Sequence, residues 1–336
     1  MSSEQVPGIP SAVYKSATVN GNKYRYICAV PETEPIDTVL LVHGFPDLAI
    51  GWRPVINKLV SLNLRVIAPD QLGYGGTDAP EELEKYSLKN IAHDLAALVR
   101  HEVGSTTAEV ILGGHDWGGF AAWRLAEWHP ELVKAIFTIC TPYVAPAEVF
   151  YDIDVIVKSG KAPSFGYQIQ FRDGDIEKVA NSRDTIRQFL AVLFGAHGPD
   201  GKMIFSTANG VPLADLHLAT SSPLVSAEEL DHHADEQARN GLRGPLNWYR
   251  TRKINFDDER VLSREHVFKV PAMFFLAKND LAIRPEMSAG MRKHFENLTW
   301  EEVPCGHWAM VEVPEVVNEK IEKWLKAQKL IPSAHI

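Results

Sequence analysis

Apolar residues fall in short runs that alternate with amphipathic stretches. "DTVLLVHG" (Asp37–Gly44) and "LRVIAPD" (Leu64–Asp70) are continuous apolar runs of strand length, as are "AEVILGG" and "VKAIFTICTP". Between them lie helical spacings. "WRPVINKLVSL" carries a proline near its first turn, where the missing N–H costs nothing. "SLKNIAHDLAALVRHEVG" repeats Leu88, Ile91, Ala92, Leu95, Leu98 and Val99 on one face. Ser87 stands as its N-cap and Gly104 as its stop. "GGFAAWRLAEWHP" reads as a third helix. Strands apolar on both faces, alternating with helices, predict a mainly parallel sheet covered on both sides. Before this rhythm, "SATVNGNKYRYICAV" predicts a hairpin around Asn20-Gly21, a pair suited to a type I′ turn.

The rhythm stops after Pro142. From Tyr143 to Phe256 the chain offers helices such as "RDTIRQFLAVLFG" and "AEELDHHADEQARNG", joined by Gly/Pro-rich loops. Strand–helix alternation returns with "VPAMFFLAKND" (Val270–Asp280), a helix-like "PEMSAGMRKHF", the strand "TWEEVP" and an amphipathic "VPEVVNEKIEKWLKAQ". The expected organisation is a core in two parts, 1–142 and 257–336, with a helical lid at 143–256.

The chain has 336 residues, 45% of them hydrophobic, enough for a sizeable core. Its net charge of −9 argues against nucleic-acid or anionic-membrane partners. No stretch approaches the roughly 18 apolar residues of a membrane helix. Three scattered cysteines, Cys28, Cys140 and Cys305, form neither a disulfide framework nor a CxxC metal motif. Met1–Pro10 lacks the apolar core of a signal peptide. The final Ala334-His335-Ile336 is not a peroxisomal tripeptide. The expectation is a cytoplasmic protein without metal or organic cofactor. Nothing in the sequence specifies an oligomeric state.

"GGHDWGG" (Gly113–Gly119) carries the candidate chemistry. It follows a strand and opens a helix, the setting of a nucleophile elbow, but Asp116 stands where a hydrolase has serine. A capping aspartate in a glycine turn is the alternative; it does not explain glycine pairs on both sides. An elbow needs an acid and then a histidine further along the chain. Asp280 ends the strand "AMFFLAKND", and His307 sits in "PCGHWAM" before the last helix. Both fall at sheet ends, where open α/β sheets bind ligands. Glu148 and Asp152 are rival acids, and His115 is a rival base beside the elbow. "HGFP" (His43–Pro46) follows the first core strand, so the backbone N–H groups of Phe45 and Trp117 are the candidate oxyanion hole.

A carboxylate is ionised near neutral pH. It displaces a leaving group at an sp³ carbon and forms an alkyl ester. A histidine then activates water against the ester carbonyl. Amides and esters are poor first targets, because carboxylate is the better leaving group.

In these motifs the chain resembles the epoxide hydrolases of the α/β-hydrolase superfamily, soluble type and fungal members included. "VHGFPD", "GYGGTDAP", "GGHDWGG", "NWYR", "AKND" and "CGHWA" carry the likeness through nearly the whole chain. It implies an α/β-hydrolase fold with an inserted cap, a small-molecule epoxide and water as substrates, and two cap tyrosines. "FGYQIQF" places the first at Tyr167 and "PLNWYR" the second at Tyr249. A phenol with a pKa of about 10 is protonated at neutral pH and donates to an opening epoxide oxygen. Gln168 and Trp248, next to these tyrosines, join Phe45 and Trp117 as candidate substrate contacts. Haloalkane and fluoroacetate dehalogenases share the aspartate elbow and histidine. A hydrolase-fold ligand-binding protein without catalysis is the remaining reading.

Overall fold

The computed structural model describes residues 4–219 and 221–333, so Ala334–Ile336 lie outside the described residues. The hairpin forms where the sequence places it. β1 (Glu4–Val6) pairs with β2 (Ile9–Val19), which turns through Asn20 (φ 48°) and Gly21 (φ 84°) into β3 (Asn22–Ala29). Both turn residues are left-handed, as a type I′ turn demands.

The apolar runs become β4 (Asp37–Val42), β5 (Leu64–Pro69), β6 (Val110–His115), β7 (Val133–Ile139), β8 (Ala272–Ala277) and β9 (Leu298–Val303). They join the hairpin in a nine-stranded sheet of order β1-β2-β3-β5-β4-β6-β7-β8-β9. Pairs from β1 to β5 are antiparallel, and every pair from β5 to β9 is parallel. Residues Val39–Val42 and Val110–Leu112 are fully buried, because helices cover both faces. The helices Leu88–Val103 and Trp117–Trp128 pack together, as do Arg53–Ser61 and Pro314–Ala327. Ser87 Oγ caps the first of these at the N–H of Asn90, and Gly104 ends it at φ 73°.

Connections from β4 lead to one side of the sheet, toward β5, and those from β6 lead to the other, toward β7. The C-terminal ends of β4 and β6 therefore flank a topological switch point, the natural crevice of such a sheet.

Between β7 and β8 the described residues form helices and turns, with two isolated bridges, His197 to Met203 and Ser206 to Gly210. The helices Arg183–Leu193 and Ala227–Ala238 pack on each other, and each opens with a capping box, at Ser182 and at Ser226. The helix Arg252–Glu259 runs through residue 256. One expected helix does not form. "PEMSAGMRKHF" makes two short 3₁₀ turns, Pro285–Ser288 and Met291–His294, with Ala289 and Gly290 between them; glycine weakens helix propagation there. Among the described residues no helix is long and apolar enough to cross a membrane.

Candidate active site

Asp116 occupies the turn between β6 and the helix Trp117–Trp128 at φ 52°, ψ −126°. A non-glycine residue held in that region is strained, and the surroundings must enforce it. They do so by close backbone approach. A Cβ on Gly118 would lie 2.0 Å from the Val42 carbonyl oxygen, and one on Gly114 would lie 2.5 Å from that of Gly118. Thr141 Oγ1 donates to the Asp116 carbonyl at 2.9 Å, tying the elbow to the end of β7.

The side chain of Asp116 is held by one of the two N–H groups expected as an oxyanion hole. Phe45 N–H donates to Oδ1 at 2.8 Å, and the Trp117 N–H also favours the ionised carboxylate. Burial raises the Asp116 pKa, with His307 and both N–H groups opposing. The second oxygen, Oδ2, faces His307 Nε2 at 3.7 Å.

His307 reaches this position from the loop after β9. Its Nδ1 donates to Asp280 Oδ2 at 2.8 Å, so Nε2 is left to face Asp116. Asp280 Oδ1 accepts the N–H groups of Ala282 (2.8 Å) and Ile283 (3.0 Å). Burial pulls the imidazole down, but Asp280, then Asp116 and Glu312, outweigh it and lift the pKa to about 9. Burial likewise raises Asp280, and His307 with the two N–H groups brings it below the ordinary carboxylate value. Glu312 had no signal in the sequence. Its carboxylate accepts Gly306 N–H (2.7 Å) and Trp308 N–H (3.0 Å), pinning the loop on both sides of His307.

Asp116, His307, Tyr167 and Tyr249 line one cavity of about 560 Å³. Tyr167 opens the helix Tyr167–Asp173, and Tyr249 follows the helix Arg243–Asn247. Their ring centroids are 6.1 Å apart. Burial raises both phenol pKa values, and the nearby Asp116 carboxylate adds to the shift. Both therefore stay protonated and able to donate. Phe45, Phe171, Leu193, Phe205, Leu224 and Trp308 supply much of the apolar wall.

Other candidates sit elsewhere. Trp248 is buried beneath the site, its indole donating to the Leu72 carbonyl at 3.0 Å, and it is not among the cavity-lining residues. The Gln168 amide approaches the Tyr167 hydroxyl at 3.4 Å rather than the cavity. The Trp117 ring packs edge-on to Tyr249, at 5.3 Å between centroids. His115 Nε2 lies 2.9 Å from the His307 carbonyl, and burial, followed by His307, lowers its pKa to about 4. Glu148 pairs with Arg264 at 2.8 Å, and Asp152 caps the helix Ile153–Lys158. His115, Cys140 and His307 bring potential ligand atoms within 4.8 Å of one another. Within that group, His307 Nδ1 is engaged by Asp280.

Residues 37–314 match the alpha/beta hydrolase fold family. The chain is 42% identical over 316 residues to epoxide hydrolase srdG of Neurospora crassa, covering 90% of this chain and 92% of that protein. It is 30% identical to bifunctional epoxide hydrolase 2 of Rattus norvegicus over 88% of this chain, and spans 52% of that relative. Epoxide hydrolase A of Mycobacterium thermoresistibile superposes with a TM-score of 0.77 at 27% identity, covering 94% and 98% of the two chains.

Proposed function

The chain belongs to the epoxide hydrolases of the α/β-hydrolase fold family, and we propose that it converts a small-molecule epoxide and water to a vicinal diol through an ester on Asp116. The observation that carries this reading is one cavity lined by Asp116, two phenols and a His307 that is held by Asp280.

Asp116 Oδ2 attacks an epoxide carbon. The C–O bond breaks, and its electron pair goes to the epoxide oxygen, which accepts hydrogen bonds from Tyr167 and Tyr249 and takes a proton from one of them, leaving a tyrosinate. His307, neutral for this step, removes a proton from water, and the hydroxide adds to the Asp116 carbonyl carbon. Negative charge then gathers on Oδ1, where the Phe45 N–H already points and to which the Trp117 N–H is the second donor in this scheme. Collapse breaks the acyl C–Oδ2 bond, and the departing diol oxygen takes the proton held by His307. The carboxylic acid left on Asp116 returns its proton through solvent to the tyrosinate, restoring carboxylate and phenol. Asp280 orients the ring and stabilises the imidazolium. Residues 143–256 serve as the cap that brings both tyrosines over the elbow. No metal or organic cofactor takes part in this scheme.

A dehalogenase uses the same aspartate and histidine, and the Trp117 indole beside Tyr249 is the feature in its favour. Two phenols in the cavity favour the epoxide, whose leaving oxygen needs a proton while a halide does not. A protein that only binds ligand has no use for the acid–histidine pair. We read the compartment as cytoplasmic, because Cys28, Cys140 and Cys305 are all free and buried.

Single turnover in ¹⁸O water with enzyme in excess tests the route. The first diol should carry unlabelled oxygen from Asp116. Label entering that diol directly would falsify the ester. Halide release from haloalkanes or fluoroacetate without turnover of styrene oxide would favour the runner-up.

A further inference from the structure

One helix of the cap, Ala227–Ala238, reaches down to the loop that carries the Phe45 N–H. Its contacts recur one turn apart along a single face, as helical spacing allows. Glu229 pairs with Arg53. His233 Nε2 donates to Asp47 Oδ1 at 3.1 Å, and Glu236 Oε2 accepts Arg25 Nη1 at 3.0 Å. Gln237 Nε2 donates to the Pro46 carbonyl at 3.2 Å. Two of these partners, Pro46 and Asp47, directly follow Phe45. The loop's own bonds are local: Asp47 N–H to the Gly44 carbonyl at 3.0 Å and Leu48 N–H to Asp47 Oδ1 at 2.8 Å.

The protonation of His233 follows from its partners. Nδ1 lies 2.9 Å from the Glu229 carbonyl and Nε2 lies 3.1 Å from the Asp47 carboxylate. Both partners only accept, so both ring nitrogens donate and the ring is an imidazolium. His233 is 5% exposed and Asp47 3%, so this ion pair is shielded from solvent and sensitive to loss of either partner. Burial lowers His233, but Asp47 and then Glu229 outweigh it, leaving the pKa raised. His232, His43 and the Phe194 ring complete its surroundings.

We propose that His233 and Gln237 are positioning residues for ester hydrolysis: from the cap they fix the Gly44–Asp47 loop, and so fix the Phe45 N–H on Oδ1 of Asp116. This rests on the ester route proposed above. The two half-reactions use that N–H differently. During attack on the epoxide the carboxylate loses charge, so a donor on Oδ1 favours the starting state. During hydrolysis charge returns to Oδ1, so the same donor favours the transition state. A displaced Phe45 N–H therefore slows the second half-reaction and spares the first. General loosening of the cap would instead misplace Tyr167 and Tyr249 and slow the first.

The test uses the full chain and a fluorescent epoxide in rapid-mixing single turnovers. His233→Leu removes both donors, and Gln237→Leu removes one donor while leaving the ion pair intact. Each should cut ester hydrolysis about tenfold, a fraction of the effect of deleting a whole donor, with alkylation within about twofold of wild type. The ester then accumulates, and KM falls together with kcat. His233→Gln, which keeps a donor for Asp47, should recover most of the hydrolysis rate. If His233→Leu does not fold, Gln237→Leu decides alone. Equal slowing of both half-reactions, or unchanged hydrolysis, overturns the proposal. Wild-type enzyme that turns over epoxide without an Asp116 ester overturns the route beneath it, and the positioning role with it.

Discussion

His307 Nε2 stands 3.7 Å from Oδ2 of Asp116, while the other oxygen of that carboxylate accepts the Phe45 N–H at 2.8 Å. The two oxygens thus have separate surroundings, one beside a base and one on a backbone donor. Removing Asp116 as Ala should abolish turnover. His307→Gln should leave alkylation largely intact and slow ester hydrolysis by about 10²- to 10⁴-fold, the usual worth of a positioned base. Intact-protein mass spectrometry should then show the variant heavier by one substrate molecule. A variant that stays unmodified while still consuming epoxide contradicts the division of labour.

Tyr167 and Tyr249 sit with ring centroids 6.1 Å apart, close enough to act on one oxygen. Either phenol alone supports the leaving group in part. Each Tyr→Phe change should slow alkylation roughly 10- to 100-fold, and the double change should exceed either, within the range of acid catalysis. Hydrolysis of an ester already formed should be far less affected. Stopped-flow measurement of the tryptophan signal separates the steps. Wild-type alkylation by the double variant would remove the phenols from the mechanism.

Features written as local periodicity were legible in the sequence. The buried strands, the Asn20-Gly21 hairpin and the helix from Ser87 to Gly104 follow from apolar spacing and turn chemistry alone. The elbow was legible because small residues around one acid have a backbone reason. Asp280 and His307 were found by the rule that sheet ends carry ligands. The cap tyrosines needed a family resemblance, since a lone tyrosine in a helical segment looks like packing. Trp248 illustrates that limit: it adjoins Tyr249 in the chain, yet its indole is buried against Leu72. Thr141, Glu312 and the Asp47–His233 pair left no sequence signal. Thr141 and the Asp47–His233 pair act between segments remote in the chain, and Glu312 acts on a nearby loop whose path only the folded molecule shows.

Two glycines test how the elbow is held. Gly118 has no room, since its Cβ would sit 2.0 Å from the Val42 carbonyl oxygen and 2.5 Å from that of His43. Backbone on both sides leaves little to yield. Gly118→Ala should cost about 3 kcal/mol or more, at the upper end of overpacking, and should also displace Asp116. Gly104 is left-handed at φ 73° but has open space around it. Gly104→Ala should cost about 1–2 kcal/mol from the backbone alone and leave activity unchanged. Thermal melts rank the pair; a larger drop at Gly104 contradicts the steric account.

The coupled charges of Asp116, His307 and Asp280 make both half-reactions gain as pH rises, while the His307 contribution to stability is lost. In the free enzyme burial acts against the imidazolium, yet Asp280 and Asp116 lift His307 to about 9. Esterification of Asp116 removes one of those two negative charges, so the base becomes neutral at lower pH once the ester exists. Ester hydrolysis should therefore rise with pH through a value below about 9. Alkylation needs Asp116 ionised, and burial raises its pKa; alkylation should fall as pH drops through that raised value. Stability follows the same shifts. His307 is raised on folding, so its contribution is full below the ordinary value of 6.5 and is lost as pH climbs through about 9. Asp280 is lowered, so its contribution is present above the ordinary carboxylate pKa and is lost as pH falls through the depressed one. Melting temperatures of wild type should decline from neutral pH to beyond about 9, and Asp280→Asn should flatten that decline. A variant with the full alkaline slope would place the charge on His307 under some influence other than Asp280.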